Sequence, residues 1–347
     1  MKLATLQFLV CFSCLLLSLT SWATGSAVVL QYHHVSEDTP RSTSVSPAEL
    51  ESHINWLQQN YFSIHSLPDI LDQLRAAEPS TNKHVVAISF DDANLSVCEQ
   101  AWPILEKYKV PFTLFINTDP IEKNFDSQCS WQSLQAMHNS GLMTVGNHSK
   151  QHLHMLERSP MQSEKEWLMA MRKEIVEAQQ TLDKQFGPSP KLFAYPYGEF
   201  NQALKKLVEA LGYIGFGQQS GAIGQNSDFA ALPRFPASAQ FANLDTLSVK
   251  LHSLPFPGKE LSLQDNPLEP ESAVNPPTLS IQLDKHLPNP INCFNAQGEA
   301  IAHKLHENRL EVSAETRLPS GRHRYTCTSL SNEPGRYYWL SHQWLVN

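Results

Sequence analysis

Residues 85–92 read VVAISFDD, a hydrophobic run that ends in two adjacent carboxylates, Asp91 and Asp92. Aspartate disfavours strands and neighbouring like charges repel, so such an ending calls for a use. One carboxylate can ligate a metal, kept ionised by the cation, while the other stays free to take a proton from water. The competing use is to cap the helix expected over SVCEQAWPILEKY (96–108). A cap needs one residue, and Asn94 or Ser96 is better placed for it. A second cluster, NHSKQH (147–152), sets His148 and His152 four residues apart, where one turn can aim both imidazoles at one ion. An H-x-x-x-H alone is weak evidence, but this one also follows a hydrophobic run, LMTVGN (142–147).

Those runs belong to a longer alternation. AVVLQY (27–32), VVAISF (85–90), PFTLFIN (111–117), LMTVGN (142–147), KLFAY (191–195), GYIGFG (212–217) and ALPRF (231–235) read as strands separated by amphipathic stretches, the mark of parallel β/α units. Among the helices, Ser46, Pro47 and Glu49 form a capping box, and residues 164–186 make the longest repeat. Seven such strands predict an α/β fold, a distorted (β/α)7 barrel, over residues 24–260. In a barrel of this kind all strand ends meet on one face, which holds the active site. Two histidines and one carboxylate there make a facial metal site with open positions.

Residues 261–277 turn proline-rich and acidic without periodicity and read as a linker. From 278 to 347, TLSIQL, RLEVSAE, RHRYTCTS and RYYWLSHQWLV predict a small C-terminal β-sandwich. Its aromatics, Tyr325, Tyr337, Tyr338, Trp339 and Trp344 with Arg336, could stack on sugars, but period-two aromatics in a sandwich are more often core.

The 347-residue chain carries a net charge of −8, which argues against nucleic acid and anionic membrane surfaces as partners. Residues 1–23 fit a cleaved signal peptide, with Lys2, an apolar core over Phe8–Leu19 and Ser21-Trp22-Ala23 as the cleavage site; the rival is a retained anchor. Cleavage predicts a periplasmic or secreted protein with no stable membrane insertion. It also leaves four cysteines. An oxidising compartment and the expected domain split favour Cys98 with Cys129 and Cys293 with Cys327.

In its motifs the chain resembles the NodB-type polysaccharide deacetylases, carbohydrate esterase family 4. The family's Phe-Asp-Asp stands here as Phe90-Asp91-Asp92, its His-Ser/Thr-x-x-His segment as His148-Ser149-Lys150-Gln151-His152, and its Pro-aromatic-Gly as Pro196-Tyr197-Gly198 after Tyr195. Tyr32-His33-His34-Val35 is similar to the opening of the circularly permuted branch, which includes secreted poly-β-1,6-N-acetylglucosamine deacetylases.

The resemblance implies that Asp92, His148 and His152 bind a divalent metal, zinc foremost, with cobalt, nickel or iron as alternatives. It implies Asp91 as base, His33 as general acid, the Tyr195 N–H as oxyanion donor, and Pro196 and Tyr197 as substrate-binding. His34 is expected to point away from His33, as alternate residues of a strand do. The family's usual glycine after the aspartates is Ala93 here, and its base-orienting arginine falls at Ala194. Arg234 is the available replacement, or else an ordinary surface ion pair. His252 imitates another family motif and is read as a helix-surface residue. The expected substrate is an acetylated, N-acetylglucosamine-containing polysaccharide. Peptidoglycan, chitooligosaccharide or an O-acetylated glycan are alternatives, and so is a catalytically inactive glycan-binding barrel.

Overall fold

The structure, a computed structural model, describes residues 25–76, 84–262 and 264–347. The expected leader lies outside the described residues, among which no helix is long and apolar enough to cross a membrane.

Six parallel strands follow one another in chain order: β1 (Ser26–Tyr32), β2 (Val85–Asp91), β3 (Phe112–Ile116), β4 (Met143–Asn147), β5 (Leu192–Ala194) and β6 (Ile214–Phe216). Their side chains alternate between two apolar layers. Val28, Leu30 and Tyr32 join one cluster, and Ala27 and Val29 join the other. Burial on both faces is why these strands read as unbroken hydrophobic runs.

The sheet curls until its ends meet. Leu232 bridges Phe216, and β7 (Phe235–Pro236) pairs in parallel with β1. The seventh strand is thus shorter than the expected 231–235 run. Pro233 lies in its middle and has no N–H to give a ladder, so pairing breaks there.

Two four-stranded sheets follow. One has the order β8 (Leu254–Pro255), β15 (Tyr337–Val346), β14 (Gly321–Leu330), β11 (Ile291–Phe294). The other runs β9 (Gly258–Glu260), β10 (Thr278–Leu283), β13 (Arg309–Ser313), β12 (His303–His306). Strands β8 and β9 precede the proline-rich segment, so the barrel chain runs straight into the sandwich before that segment begins. Strand β12 escapes a hydrophobicity pattern because all four of its residues are exposed. Tyr325 and Trp344 are buried in the sandwich core, while Trp339 packs on Phe235 of the barrel at 5.4 Å. Arg336 holds the carbonyls of His252 and Ser253, not a sugar face. Both expected disulfides are present, Cys98–Cys129 in the barrel and Cys293–Cys327 between β11 and β14.

Candidate metal and active site

Asp91 closes β2 and is fully buried. Arg234 forks onto it, Nη1 to Oδ1 at 2.7 Å and Nη2 to Oδ2 at 2.8 Å, while its Nε donates to the Gly217 carbonyl at 2.9 Å. The guanidinium is itself fully buried and lies 5.2 Å from the centre of the Phe115 ring. Arg234 is therefore no surface ion pair, and it stands where an orienting arginine is needed. Gly146 leaves room for Phe115, since a β-carbon there would come within 2.5 Å of the ring.

A second donor to Asp91, Gln31, escaped sequence reasoning. Its Nε2 donates to Asp91 Oδ2 at 2.7 Å. The signal was a polar side chain inside the buried run AVVLQY. Burial works against charge on Asp91, but the charges of Arg234 and His148 outweigh it and hold the carboxyl down at about 2.

Two predictions follow from the pair. Arg234→Met leaves a buried carboxylate uncompensated and should cost about 3–5 kcal/mol, read as a lowered urea midpoint. With the folded value of Asp91 depressed, its contribution to stability is present above the unfolded carboxylate range. It is lost as pH falls from about 4 toward 2. Acid titration of the metal-stripped protein should show this loss in the wild type, and an Asp91→Asn variant should lose less stability over the same window.

Asp92 leaves the strand in a left-handed turn, φ 76° at Asp92 and 54° at Ala93. The turn is tied down on both sides, by Asp92 N to Phe115 O at 3.0 Å and Cys129 N to Ala93 O at 2.9 Å. The Gln128 amide, in the orientation its neighbours favour, adds a bond to Asp92 O at 2.7 Å. Neither aspartate caps a helix, because this turn directs both side chains into the site. The positive φ at Ala93 is the reason a glycine suits the position. A left-handed alanine costs about 1–2 kcal/mol, whereas its buried methyl returns about 0.8 kcal/mol. Ala93→Gly should accordingly stay within about 1 kcal/mol of wild type in denaturant unfolding, and a loss beyond about 2 kcal/mol would refute this account of the turn.

His148 and His152 follow β4 on a loop with φ 65° at Ser149 and 56° at His152. Asn147 Oδ1 accepts from Ser149 N at 2.9 Å, and Glu174, on the helix Glu164–Phe186, accepts from Gln151 N at 2.9 Å. Residues held in this sparse backbone region need such over-determination, and they concentrate at functional sites. The His148 Nδ1–H donates to the Ala194 carbonyl at 2.8 Å, which leaves Nε2 as the lone-pair nitrogen facing inward.

That Nε2 lies 3.4 Å from Asp92 Oδ1 and 3.1 Å from His152 Nε2, and His152 Nε2 lies 3.2 Å from Asp92 Oδ1. Oδ1 is buried and makes no hydrogen bond among the described residues. One ligand atom from each of the three side chains lies within 4.8 Å of the others. An orphaned carboxylate oxygen facing two imidazole nitrogens fits a divalent cation. Burial and the neighbouring His148 push His152 down to about 4, the neutral form a ligand needs. Burial opposes charge on Asp92, yet the adjacent histidines, His148 foremost, keep it below the usual carboxylate range.

His33 Nε2 stands 3.9 Å from Asp91 Oδ2. Strand β1 ends at Tyr32 and His34 opens a separate two-residue strand, His34–Val35, so the alternation of β1 does not run on through His33. His34 is half-buried, and burial, then the charges of Asp92 and His33, act on it with a net downward push.

Three expectations need correction. The Tyr195 N–H donates to Phe216 O at 2.9 Å, a sheet bond that leaves it nothing for an oxyanion. Register with β6 decides this, and no local pattern reveals it. Pro196 is buried and shapes the turn without offering a face to a sugar. His252 is not a surface residue of a helix, because it packs edge-on between Phe62, Trp56 and His84. Its Nδ1–H donates to Ser248 O.

Tyr197 has φ 57° and half-buried side-chain packing, edge-on to His152 at 4.5 Å and stacked on His154 at 3.8 Å. Gly198 completes the turn at φ +69°, where a β-carbon would meet Gln218 at 2.6 Å.

A curled parallel sheet with this constellation at its strand ends defines a NodB-like deacetylase barrel. Residues 78–215 match the family model for polysaccharide deacetylase. The chain is 29% identical over 228 residues to the poly-beta-1,6-N-acetyl-D-glucosamine N-deacetylase of Staphylococcus aureus, covering 60% of this chain and 78% of that protein. For the Staphylococcus epidermidis protein of the same name the figures are 27% over 233 residues, 62% and 80%.

Among solved structures, the Streptococcus pyogenes deacetylase PplD superposes with TM-score 0.58 at 20% identity, covering 66% of this chain and 99% of that one. IcaB from Ammonifex degensii gives 0.57 at 22%, covering 66% and 98%. These structures share the fold. Over residues 78–215 the chain is thus similar to the polysaccharide deacetylases, and these similarities support a hydrolase acting on carbon–nitrogen bonds.

Proposed function

We propose that the protein is a secreted, metal-dependent N-deacetylase of poly-β-1,6-N-acetylglucosamine or a closely similar glycan. The observation that carries the reading is the unpaired Asp92 Oδ1 facing two imidazole nitrogens, beside a second aspartate forked by Arg234. The names of the staphylococcal relatives support the substrate class. The two disulfides support an oxidising compartment.

Asp92, His148 and His152 would hold the ion, zinc being the first choice for two imidazoles and a carboxylate. When bound, it would polarise the acetyl carbonyl and make the attacking water more acidic. Asp91, ionised and fixed by Arg234 and Gln31, takes the proton from that water. His33, 3.9 Å from Asp91 Oδ2, gives a proton to the departing amine. With the Tyr195 N–H engaged by Phe216 O, that N–H is not the oxyanion donor. The products are acetate and a free glucosamine amine.

The test of substrate class is acetate release from β-1,6-linked oligomers, chitooligosaccharides, peptidoglycan and O-acetylated glycan side by side. The β-1,6 oligomer should be the best substrate. A preference for any of the others moves the enzyme to that glycan, and release from none leaves the inactive barrel as the reading.

A further inference from the structure

We infer that the C-terminal β-sandwich is a positioning element of the active site, bracing its substrate wall through Arg322 and its base through Ser341 and Trp339. The first brace runs through Glu199, whose side chain is 2% exposed just after the Pro-Tyr-Gly turn. Arg322, on β14, donates from Nε and Nη2 to Glu199 Oε1 at 3.0 and 2.7 Å. His154 Nδ1 lies 3.1 Å from Oε2. The Arg322 guanidinium also lies 5.2 Å from the centre of the Tyr197 ring, the ring that His154 stacks against. A carboxylate so buried must keep its charged partner, so the turn is held in place from a strand 123 residues further along the chain.

The second brace runs to the base. Ser220 N donates to Ser341 Oγ at 2.6 Å, and Trp339 Nε1 donates to Ser220 Oγ at 3.0 Å. Ser220 ends the strap Gly217–Ser220, whose Gly217 carbonyl accepts from Arg234 Nε and whose Gln219 carbonyl accepts from Arg234 N at 3.0 Å. Arg234 in turn fixes Asp91. One face of one sandwich sheet thus supports both walls of the site. On that face Arg322, Ser341 and Trp339 all bond to the barrel.

The inference rests on the proposed deacetylase reading for its kinetic arm only. In the full-length, metal-loaded protein, Arg322→Ala should raise KM for an N-acetylglucosamine oligomer by about tenfold or more, with kcat falling by less, because the wall that receives the sugar is misplaced. Arg322→Lys keeps the charge on Glu199 and should recover most of the loss. Arg317→Ala, which breaks an exposed pair with Glu271 in the same sandwich, should leave KM and kcat at wild-type values.

The second arm needs no activity. Amide exchange over residues 195–199, where Gly198 N–H bonds Tyr195 O at 2.8 Å, should quicken by about tenfold in Arg322→Ala and not in Arg317→Ala. Unchanged exchange and KM in Arg322→Ala would overturn the inference. So would equal losses in KM and kcat that merely follow a lowered Tm. A wild type that releases no acetate would sink the deacetylase reading instead, and exchange alone would then decide the positioning role.

Discussion

Asp91→Asn should keep its metal and lose turnover by about 10²–10⁴-fold, whereas Asp92→Asn should lose the metal itself. The two residues are adjacent and share a strand end, yet their surroundings differ completely. Asp91 is enclosed by Arg234 and Gln31, whose three donated hydrogen bonds fix its orientation. An amide there still fills the space but cannot accept a proton from water. Asp92 Oδ1 meets only the two histidine nitrogens. A neutral amide in its place removes the one anionic ligand, so affinity should fall by more than the 10–100-fold typical of outer-shell changes. Metal analysis after gel filtration, with kcat measured on reloaded protein, separates the two. Equal metal content in both variants would refute the division of labour.

The second large effect is expected at His33. An amine is a poor leaving group, so His33→Ala should cost about a hundredfold or more on an N-acetylated sugar. On an activated aryl acetate, whose phenolate leaves unaided, the same variant should lose far less. His252→Ala is the matched control. That ring lies among Phe62, Trp56 and His84, with its Nδ1–H spent on Ser248, and its loss should leave both reactions near wild type. If His252→Ala is crippled and His33→Ala is not, the acid has been assigned to the wrong end of the chain.

The parts of this site that the sequence discloses are those carried by residue type and short spacing. Asp91 with Asp92 and His148 with His152 each sit on a single loop after a single strand, so hydrophobic periodicity and local motif suffice to bring them to one rim. Arg234 was legible only as a charged residue near a strand end; its burial and its fork onto Asp91 depend on closure of the barrel between β6 and β1. Gln31 was visible as a polar residue in an apolar strand, but nothing local says which carboxylate it meets. The engagement of the Tyr195 N–H depends on register with β6, and the Glu199–Arg322 pair joins a barrel loop to a strand of the sandwich. Both depend on tertiary packing, which periodicity does not encode. The backbone turns at Asp92, Ser149, His152 and Tyr197 are equally silent in sequence, because none of the four is glycine although each has positive φ.

The most direct measurement is acetate release from a β-1,6-N-acetylglucosamine oligomer by one preparation assayed as purified, after removal of its metal by chelator, and after reloading with zinc. The account predicts acetate and free amine in equal amounts from the loaded enzyme, loss of activity on chelation, and recovery on reloading, with no recovery in the Asp92→Asn variant. Undiminished release from the fully stripped protein, or none from the reloaded one, would contradict it.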